Sequence, residues 1–166
     1  MYEIEKTVEV NRWIEITKSD SGISGPELAI AHLKLGGKLG KIMSFEPKET
    51  TIVAIMRGGL FFAEGIYLQT GFRLQTYDPK YQVFQRPNTK HVILVDSVIN
   101  TGKTIQKIRQ PDMIVACCVI NEKAISLFGE QLYVVRVSKN SFIGSNVKNQ
   151  KGKLGPDTTM RLFHLL

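Results

Sequence analysis

Four short stretches of the chain are apolar without interruption. They are IVAIM (52–56), VILV (92–95), MIVACCVI (113–120) and LYVV (132–135). A strand with one exposed face alternates apolar and polar residues, whereas a strand buried on both faces is apolar throughout, as in a parallel sheet covered by helices. Helix candidates lie between or after these runs, over 60–68, 104–109 and 121–128. Strands that alternate with helices predict an α/β fold with a doubly wound parallel sheet.

A further helix is predicted near the amino terminus. Ser24, Gly25 and Pro26 are typical of a helix start, because proline is favoured at the first helical position. Apolar residues follow at spacings of three and four as far as Ile42. Three glycines interrupt this helix between 36 and 40, and each costs about 1 kcal/mol relative to alanine. We therefore expect the helix to depend on packing and to break near Gly36.

The composition is that of a globular protein, with 166 residues, 43% of them hydrophobic and 22% charged. One domain spanning 1–166 is expected at this length. No apolar run approaches the length of a membrane span, and the amino terminus lacks a signal-peptide pattern. Cys117 and Cys118 are neighbours inside an apolar run, which favours two buried thiols over a disulfide. We expect a cytoplasmic protein with no membrane-spanning segment.

The net charge of +7 comes from 22 Lys and Arg against 15 Asp and Glu. Such a charge attracts anions, although excess lysine often serves only solubility. Four lysines and no acids lie in the Asn-, Ser- and Gly-rich segment 139–153, which is typical of a loop. The other lysines are scattered along the sequence. This distribution favours a small anionic ligand over a nucleic acid.

Ligands of doubly wound sheets bind beyond the carboxyl ends of the strands, so the residues after each apolar run are candidates. The first run is followed by Arg57, Gly58 and Gly59. Glycine lets backbone N–H groups approach a ligand closely, and the arginine adds a positive charge. The same residues also suit an ordinary tight turn.

The second run is followed by DSVINTGKT (96–104), whose last four residues predict a phosphate site. Gly102 allows close approach, the hydroxyls of Thr101 and Thr104 can donate hydrogen bonds, and the next helix presents its positive end. Lys103 supplies a further charge. The nucleoside triphosphatase P-loop is excluded, because that motif needs a glycine where this chain has Ser97.

Asp96 precedes this phosphate site at the end of a buried strand. An unpaired carboxylate is costly to bury, so we expect Asp96 to face the ligand. A carboxylate in that position suits the hydroxyls of a sugar attached to the phosphate. The alternative for Asp96 is a helix cap or a turn residue.

The segment VDSVINTGKT (95–104) resembles the phosphoribosyl diphosphate motif of the type I phosphoribosyltransferases, in which an apolar strand and an acid precede Thr-Gly-x-Thr. Because Ser97 replaces a second acid, the segment is more similar to the uracil phosphoribosyltransferase branch. Three further segments resemble that branch in the same order. They are the diphosphate loop at 55–66, a Tyr-containing stretch ending in Pro at 81–87, and a C-terminal acidic segment at 154–163.

The chain departs from that branch at three places. Met160 stands where the branch has an acid, immediately before Arg161. The family's flexible-loop arginine has Lys80 as its nearest counterpart. A Lys- and Asn-rich insertion lengthens the segment between Phe142 and Leu154.

The resemblance implies the type I phosphoribosyltransferase fold, with a small C-terminal hood, and a catalysed reaction. Phosphoribose would pass from phosphoribosyl diphosphate to uracil or a related pyrimidine, with Mg²⁺ as cofactor and diphosphate as the leaving group. The implied catalytic residues are Arg57, Asp96 and Asp157, with Asp157 near Mg²⁺ or the ribose. A homodimer is also implied.

The resemblance also implies the substrate contacts. Residues 101–104 would bind the 5′-phosphate, Gly58 and Gly59 the diphosphate, and the backbone of 142–144 the edge of the base. Further contacts are implied for Lys80, Ser97, Asn100 and Arg161.

Two alternatives stay open at this point. The first is transfer to another base, such as a purine or orotate. The second is a non-catalytic regulator of the same fold that senses nucleotides and binds RNA, a role that the positive charge would suit.

Overall fold

A six-stranded sheet forms the centre of the computed structural model, which describes all 166 residues. Its strands are β1 (Tyr2–Glu3), β2 (Thr50–Ile55), β3 (Arg73–Tyr77), β4 (His91–Ile99), β5 (Ile114–Asn121) and β6 (Leu132–Ser138). The spatial order is β1-β6-β5-β4-β2-β3, and every neighbouring pair is parallel. The predicted α/β fold with a parallel sheet is confirmed, and the four apolar runs are the four inner strands.

Helices cover both faces of the sheet. They are α1 (Val8–Thr17), α2 (Gly25–Gly40), α3 (Leu60–Thr70), α4 (Lys103–Gln106) and α5 (Thr158–Leu162). The first three pack on one face, where Leu35, Phe62 and Ile93 belong to one apolar core. On the other face Ile105 of α4 and Phe128 join a second core.

Several elements differ from the sequence prediction. The helix predicted over 104–109 is the shorter α4, and the one predicted over 121–128 is a 3-10 helix at Glu122–Leu127. The edge strands β1 and β3 and the helix α1 were not predicted. The strand β3, RLQTY, has mostly exposed or partly exposed residues, so it carries no apolar run to reveal it.

The glycines of α2 do not break the helix, which continues unbroken to Gly40. They lie instead where α2 crosses α3. A methyl group on Gly36 would overlap the backbone oxygen of Phe62, and one on Gly65 of α3 would overlap the backbone oxygen of Leu33. The two helices therefore touch backbone to backbone, and the packing offsets the low helix propensity of glycine.

A small two-stranded parallel ribbon, β7 (Ile143–Ser145) and β8 (Leu154–Pro156), stands apart from the main sheet and leads into α5. The segment 139–153, expected as a loop, thus contains β7. Asn100, just beyond β4, donates a hydrogen bond from Nδ2 to the backbone oxygen of Phe142 at 3.2 Å. This bond holds the ribbon beside the carboxyl ends of the strands, and ribbon and α5 form the predicted C-terminal hood.

Two smaller predictions concern burial and membranes. Cys117 and Cys118 are fully buried and unpaired, as expected from their apolar run. None of the helices combines the length and the apolar character that a membrane span requires.

The α2–α3 contact gives a test of the fold. We expect Gly65→Ala to lower the free energy of unfolding by about 1–3 kcal/mol, because overpacking forces the two backbones apart. Gly37→Ala is the matched control, since its methyl group would meet its nearest neighbour, the oxygen of Gly65, at 3.7 Å. That variant should be as stable as the wild type or slightly more stable, because alanine favours the helix. Urea titrations that rank the two variants equally would contradict the close contact.

Candidate active site

A cavity of about 370 Å³ opens at the carboxyl ends of the strands. Its walls come from the end of α1 and the α1–α2 loop, the turn after β2, the segment after β3, the end of β4, the ends of β5 and β6, the β7–β8 ribbon and the start of α5. Eight of the residues proposed from the sequence line it. They are Gly58, Asp96, Ser97, Asn100, Thr104, Phe142, Gly144 and Asp157. The parallel strands thus bring together residues that lie far apart in the sequence.

The turn after β2 contains two glycines with different tasks. A methyl group on Gly58 would lie 3.0 Å from Thr159 Oγ1 and 3.4 Å from Asp96 Oδ1, inside the cavity. A methyl group on Gly59 would instead lie 2.5 Å from the backbone oxygen of Val95 and 2.8 Å from that of Ile55. Gly58 therefore keeps space open for a ligand, whereas Gly59 lets α3 start against the strands. The Met56–Arg57 peptide bond in this turn is cis.

Asp96 lies in β4, partly buried at the cavity wall. Its Oδ1 accepts a hydrogen bond from the N–H of Ser97 at 2.8 Å. The pKa of Asp96 is raised to about 7, mainly because burial removes hydration from the charged form, and the nearby Asp157 adds to the rise. The N–H groups of Ser97 and Val98 partly oppose this effect. A carboxyl group that is half protonated near neutrality is unusual, and such groups cluster at functional sites.

Asp157 faces the same cavity from the hood. Its Oδ1 accepts a hydrogen bond from the N–H of Met160 at 2.9 Å, so it caps the amino end of α5. Its Oδ2 is near Gly144 of β7, where a methyl group would approach to 2.7 Å. Gly144 is therefore required for the carboxylate to sit against the ribbon.

The turn at 101–104 lies beside the cavity, and of its residues Thr104 lines it. Gly102 has a left-handed backbone with φ of 73°, which glycine adopts most easily. A methyl group there would lie 2.9 Å from Leu127 Cδ1, so the turn is packed closely on the neighbouring segment. The side chains of Thr101 and Lys103 are exposed at the rim. Backbone N–H groups in the first turn of α4 have no acceptor within the helix.

Arg57 and Lys80 are exposed and do not line the cavity. The guanidinium carbon of Arg57 lies 5.2 Å from the centre of the Phe163 ring, just beyond α5. The adjacent Pro79 lines the cavity, so Lys80 is near its mouth. Both cations are thus next to the site without entering it.

Arg161 lies outside the cavity, behind its wall. Its side chain is buried, and its Nε and Nη2 donate hydrogen bonds to the backbone oxygen of Ile23 at 3.1 and 2.8 Å. Nη2 also donates to Ser21 Oγ at 3.0 Å. These bonds occupy the guanidinium and tie α5 to the α1–α2 loop. Arg161 does not line the cavity in the structure, and its contact with a substrate stays a prediction.

Some lining residues were missed in the sequence. Asn121 directly follows the apolar run of β5, and Arg136 follows that of β6. The rule that selected Asp96 applies equally to these two and would have found them. Thr17, the last residue of α1, and Ser19 in the α1–α2 loop also line the cavity. No motif in the sequence marks them, because their place depends on how this loop folds back over the sheet.

No group of three or more His, Cys, Asp or Glu side chains in the chain is arranged to hold a metal ion. Asp96 and Asp157 are the two carboxylates that face the cavity. A pair of this kind fits Mg²⁺, which usually takes one or two protein carboxylates and completes its shell with water and substrate oxygens.

No protein-family model matches the sequence, and no curated protein matches it significantly. Among solved structures, the AQ2163 protein of Aquifex aeolicus has a TM-score of 0.59 at 15% identity, over 82% of this chain and 86% of that one. A purine phosphoribosyltransferase of Pyrococcus horikoshii has a TM-score of 0.43 at 21% identity, over 84% and 90% of the chains. A hypoxanthine-guanine phosphoribosyltransferase of Bacillus anthracis has 0.46 at 14% identity, over 86% and 87%. Of these three, the first alone exceeds 0.5, and at 15% identity its likeness shows a shared fold and nothing more.

The raised pKa of Asp96 gives a test of the site without any ligand. The unfolded chain has the ordinary pKa of 3.8 and the folded chain about 7, so the folded state binds an extra proton between these values. Stability contributed by this proton is therefore present at low pH and is lost as the pH rises from about 4 to about 7. We expect Asp96→Asn to unfold at higher denaturant concentration than the wild type at pH 8, and the difference to shrink at pH 5.

Asp112→Asn is the control for this experiment. A hydrogen bond from Arg86 lowers the pKa of the exposed Asp112. The small contribution of this carboxylate to the stability of the fold is therefore present at neutral pH and is lost as the pH falls. The Asp112 variant should be equal to or slightly less stable than the wild type at pH 8. An Asp96 variant that loses stability equally at both pH values would contradict the raised pKa.

Proposed function

We propose that the protein is a phosphoribosyltransferase, which transfers phosphoribose from phosphoribosyl diphosphate to a nucleobase. The observation that carries this proposal is the position of Asp96. It lies in one cavity with Gly58 on one side and with Thr104 and Asn100 on the other. The cavity thus combines a site for the diphosphate at Gly58, an acid for the sugar hydroxyls at Asp96, and a site for the 5′-phosphate at 101–104.

The substrate is assigned to these groups in order. Backbone N–H groups of the turn at 101–104 bind the 5′-phosphate, with the hydroxyls of Thr101 and Thr104 and the charge of Lys103. Asp96 accepts hydrogen bonds from the ribose hydroxyls. The diphosphate lies at Gly58, where the missing side chain leaves room. Arg57 can leave the Phe163 ring and reach it, since its side chain is exposed.

The reaction joins a nitrogen of the base to C1 of the ribose as the bond from C1 to the diphosphate oxygen breaks. The sugar becomes positively charged in the transition state, and the leaving diphosphate gains negative charge. The carboxylates of Asp96 and Asp157 stabilise the sugar, and Arg57 with the adjacent N–H groups stabilises the diphosphate. The cavity walls hold the two reactants in contact, which replaces a bimolecular encounter by an oriented one. No strong base from the protein is required.

Mg²⁺ is the proposed cofactor, and when bound it would neutralise charge on the diphosphate and hold it against the ribose oxygens. Asp157 and Asp96 are the residues that would face it. This fits a site with two carboxylates and no enclosed metal cage.

The resemblance of the four sequence segments favours uracil or a related pyrimidine as the base. The base would occupy the end of the cavity near Phe142 and Gly144, which line it from the hood. A purine is the alternative, and the chemistry at Asp96 would be the same for either.

The activity is tested by following diphosphate release from phosphoribosyl diphosphate with Mg²⁺ and a panel of bases. Arg57→Ala should lower turnover by about 10² to 10³, because a charge that stabilises the leaving group is lost. Its melting temperature should fall by no more than a few degrees, since an exposed cation–π contact is worth about 0.5–1 kcal/mol.

Arg73→Ala is the matched control, because Arg73 is an exposed arginine at the amino end of β3, whereas the cavity lies at the carboxyl ends of the strands. It should keep the wild-type rate. If Arg57→Ala turns over at the wild-type rate, the role assigned to Arg57 is wrong. If no base releases diphosphate from the wild type, the proposed function itself is wrong.

A further inference from the structure

The end of the cavity formed by β5 and β6 is not used by the sugar or the phosphates in the function proposed above, on which this inference rests. Val119 pairs with Arg136 in the sheet, and Asn121 pairs with Ser138. All four residues line the cavity. With the diphosphate at the end of β2 and the phosphate beyond β4, the base is left with this end.

Arg136 has no partner within the protein. Its side chain donates no hydrogen bond to any protein atom, its Nε is buried, and it forms no salt bridge. The carboxylates that pair with cations elsewhere are Glu3, Glu9, Glu15, Glu49 and Asp112. A partly buried guanidinium without an acceptor is costly, because hydration is lost and nothing replaces it.

The polar groups around Arg136 are bonded to one another. Asn121 donates from Nδ2 to the backbone oxygen of Asn140 at 2.8 Å and accepts at Oδ1 from the N–H of Lys123 at 2.9 Å. Ser138 Oγ accepts from the N–H of Asn140 at 3.1 Å, and Asn140 Oδ1 accepts from the N–H of Phe142 at 2.8 Å. This network fixes the loop after β6 and leaves the guanidinium directed at no protein acceptor.

The charge of Arg136 also reaches its buried neighbours. The pKa of His32 is lowered to about 4, mainly by burial, and the charges of Arg161 and Arg136 contribute to this lowering. The pKa of Cys118 is raised to about 11 because the effect of burial exceeds the opposing effect of the Arg136 charge. The groups near Arg136 on the side of α2 are therefore neutral or positive. None of them balances the charge of Arg136, so an anionic ligand would be favoured there.

We propose that Arg136 determines the specificity for the base, and that the preferred base carries a negative charge, either a ring carboxylate or an ionised ring oxygen. A guanidinium binds such a group through two parallel N–H donors, and a charged acceptor makes these bonds stronger than a neutral carbonyl would. A neutral pyrimidine such as uracil leaves the charge of Arg136 unpaired. Among pyrimidines the carboxylate-bearing orotate fits this end of the cavity better than uracil.

The test compares a charged and a neutral base of each ring size: orotate with uracil, and xanthine, which ionises more readily, with hypoxanthine. With saturating phosphoribosyl diphosphate and Mg²⁺, the wild type should use the charged member at least about tenfold more efficiently in kcat/KM, as expected when a binding group is otherwise left unpaired. Arg136→Gln should raise KM for the charged base by about tenfold or more and leave kcat within about threefold. For the neutral base both constants should stay within about threefold. Arg136→Lys should restore part of the preference, because it keeps the charge without the two-pronged geometry.

Arg73→Gln is the control and should leave the preference unchanged. The Arg136→Gln variant should melt at the same temperature as the wild type or higher, because it removes an unpaired charge. A wild type that prefers the neutral base, or an Arg136→Gln variant that changes both bases alike, overturns the proposal. A large loss of stability in that variant also overturns it, because Arg136 would then be structural.

A second measurement separates this proposal from the proposed function. Calorimetric titration with orotidine 5′-monophosphate and uridine 5′-monophosphate needs no turnover. If no base releases diphosphate but the wild type binds the orotidine nucleotide at least about tenfold more tightly, and Arg136→Gln removes this difference, then the function fails and the role of Arg136 stands. Equal binding of the two nucleotides by the wild type overturns the role of Arg136.

Discussion

Six parallel strands must all end at one edge of their sheet, and the candidate site depends on this constraint. The buried centres of the strands are apolar because both faces are covered, so polar residues can appear only where the covering helices stop. Asp96, Asn121 and Arg136 all follow or interrupt an apolar run at that edge. A single geometric rule therefore places an acid, an amide and a cation around one cavity. The unusual pKa of Asp96 is a result of the same burial.

A buried arginine completes the cavity from the other side. Arg161 loses hydration on folding, and backbone oxygens at the end of α1 and in the α1–α2 loop replace it. Thr17 at the end of α1 and Ser19 in this loop lie in the cavity wall, as do Asp157, which caps α5, and Thr159 within it. Through Arg161, the C-terminal segment is thus hydrogen-bonded to the N-terminal part of the chain. The sequence marks Arg161 through the resemblance of the C-terminal segment, but it does not reveal the backbone oxygens that Arg161 binds in the folded chain.

The sequence predicts most of the sheet, since the runs that become β2, β4, β5 and β6 are distinctive. It does not predict β3, whose residues are largely exposed at the sheet edge, or α1. In the candidate site, Gly58 and Asp96 could be predicted because they come just after apolar runs. Asn121 and Arg136 also follow apolar runs and could have been found in the same way. Thr17 and Ser19 could not, because only the tertiary fold brings the end of α1 and the following loop to the cavity. The glycines of α2 led to a wrong prediction of a break. Glycine is unfavourable in an isolated helix, but the close approach of α3 requires it at Gly36.

The backbone contact at Gly36 and Gly65 has a mechanical consequence for the cavity. Helix α3 starts at the turn that carries Gly58, and α2 starts just after the loop that follows Thr17 and carries Ser19. Because no side chains lie between them at this crossing, the two helices cannot slide past one another or move closer without steric overlap. The parts of the cavity wall at their amino ends therefore keep a fixed spacing. Any widening for a substrate to enter must then come from the other parts of the rim, either the irregular segment after β3 or the ribbon of the hood.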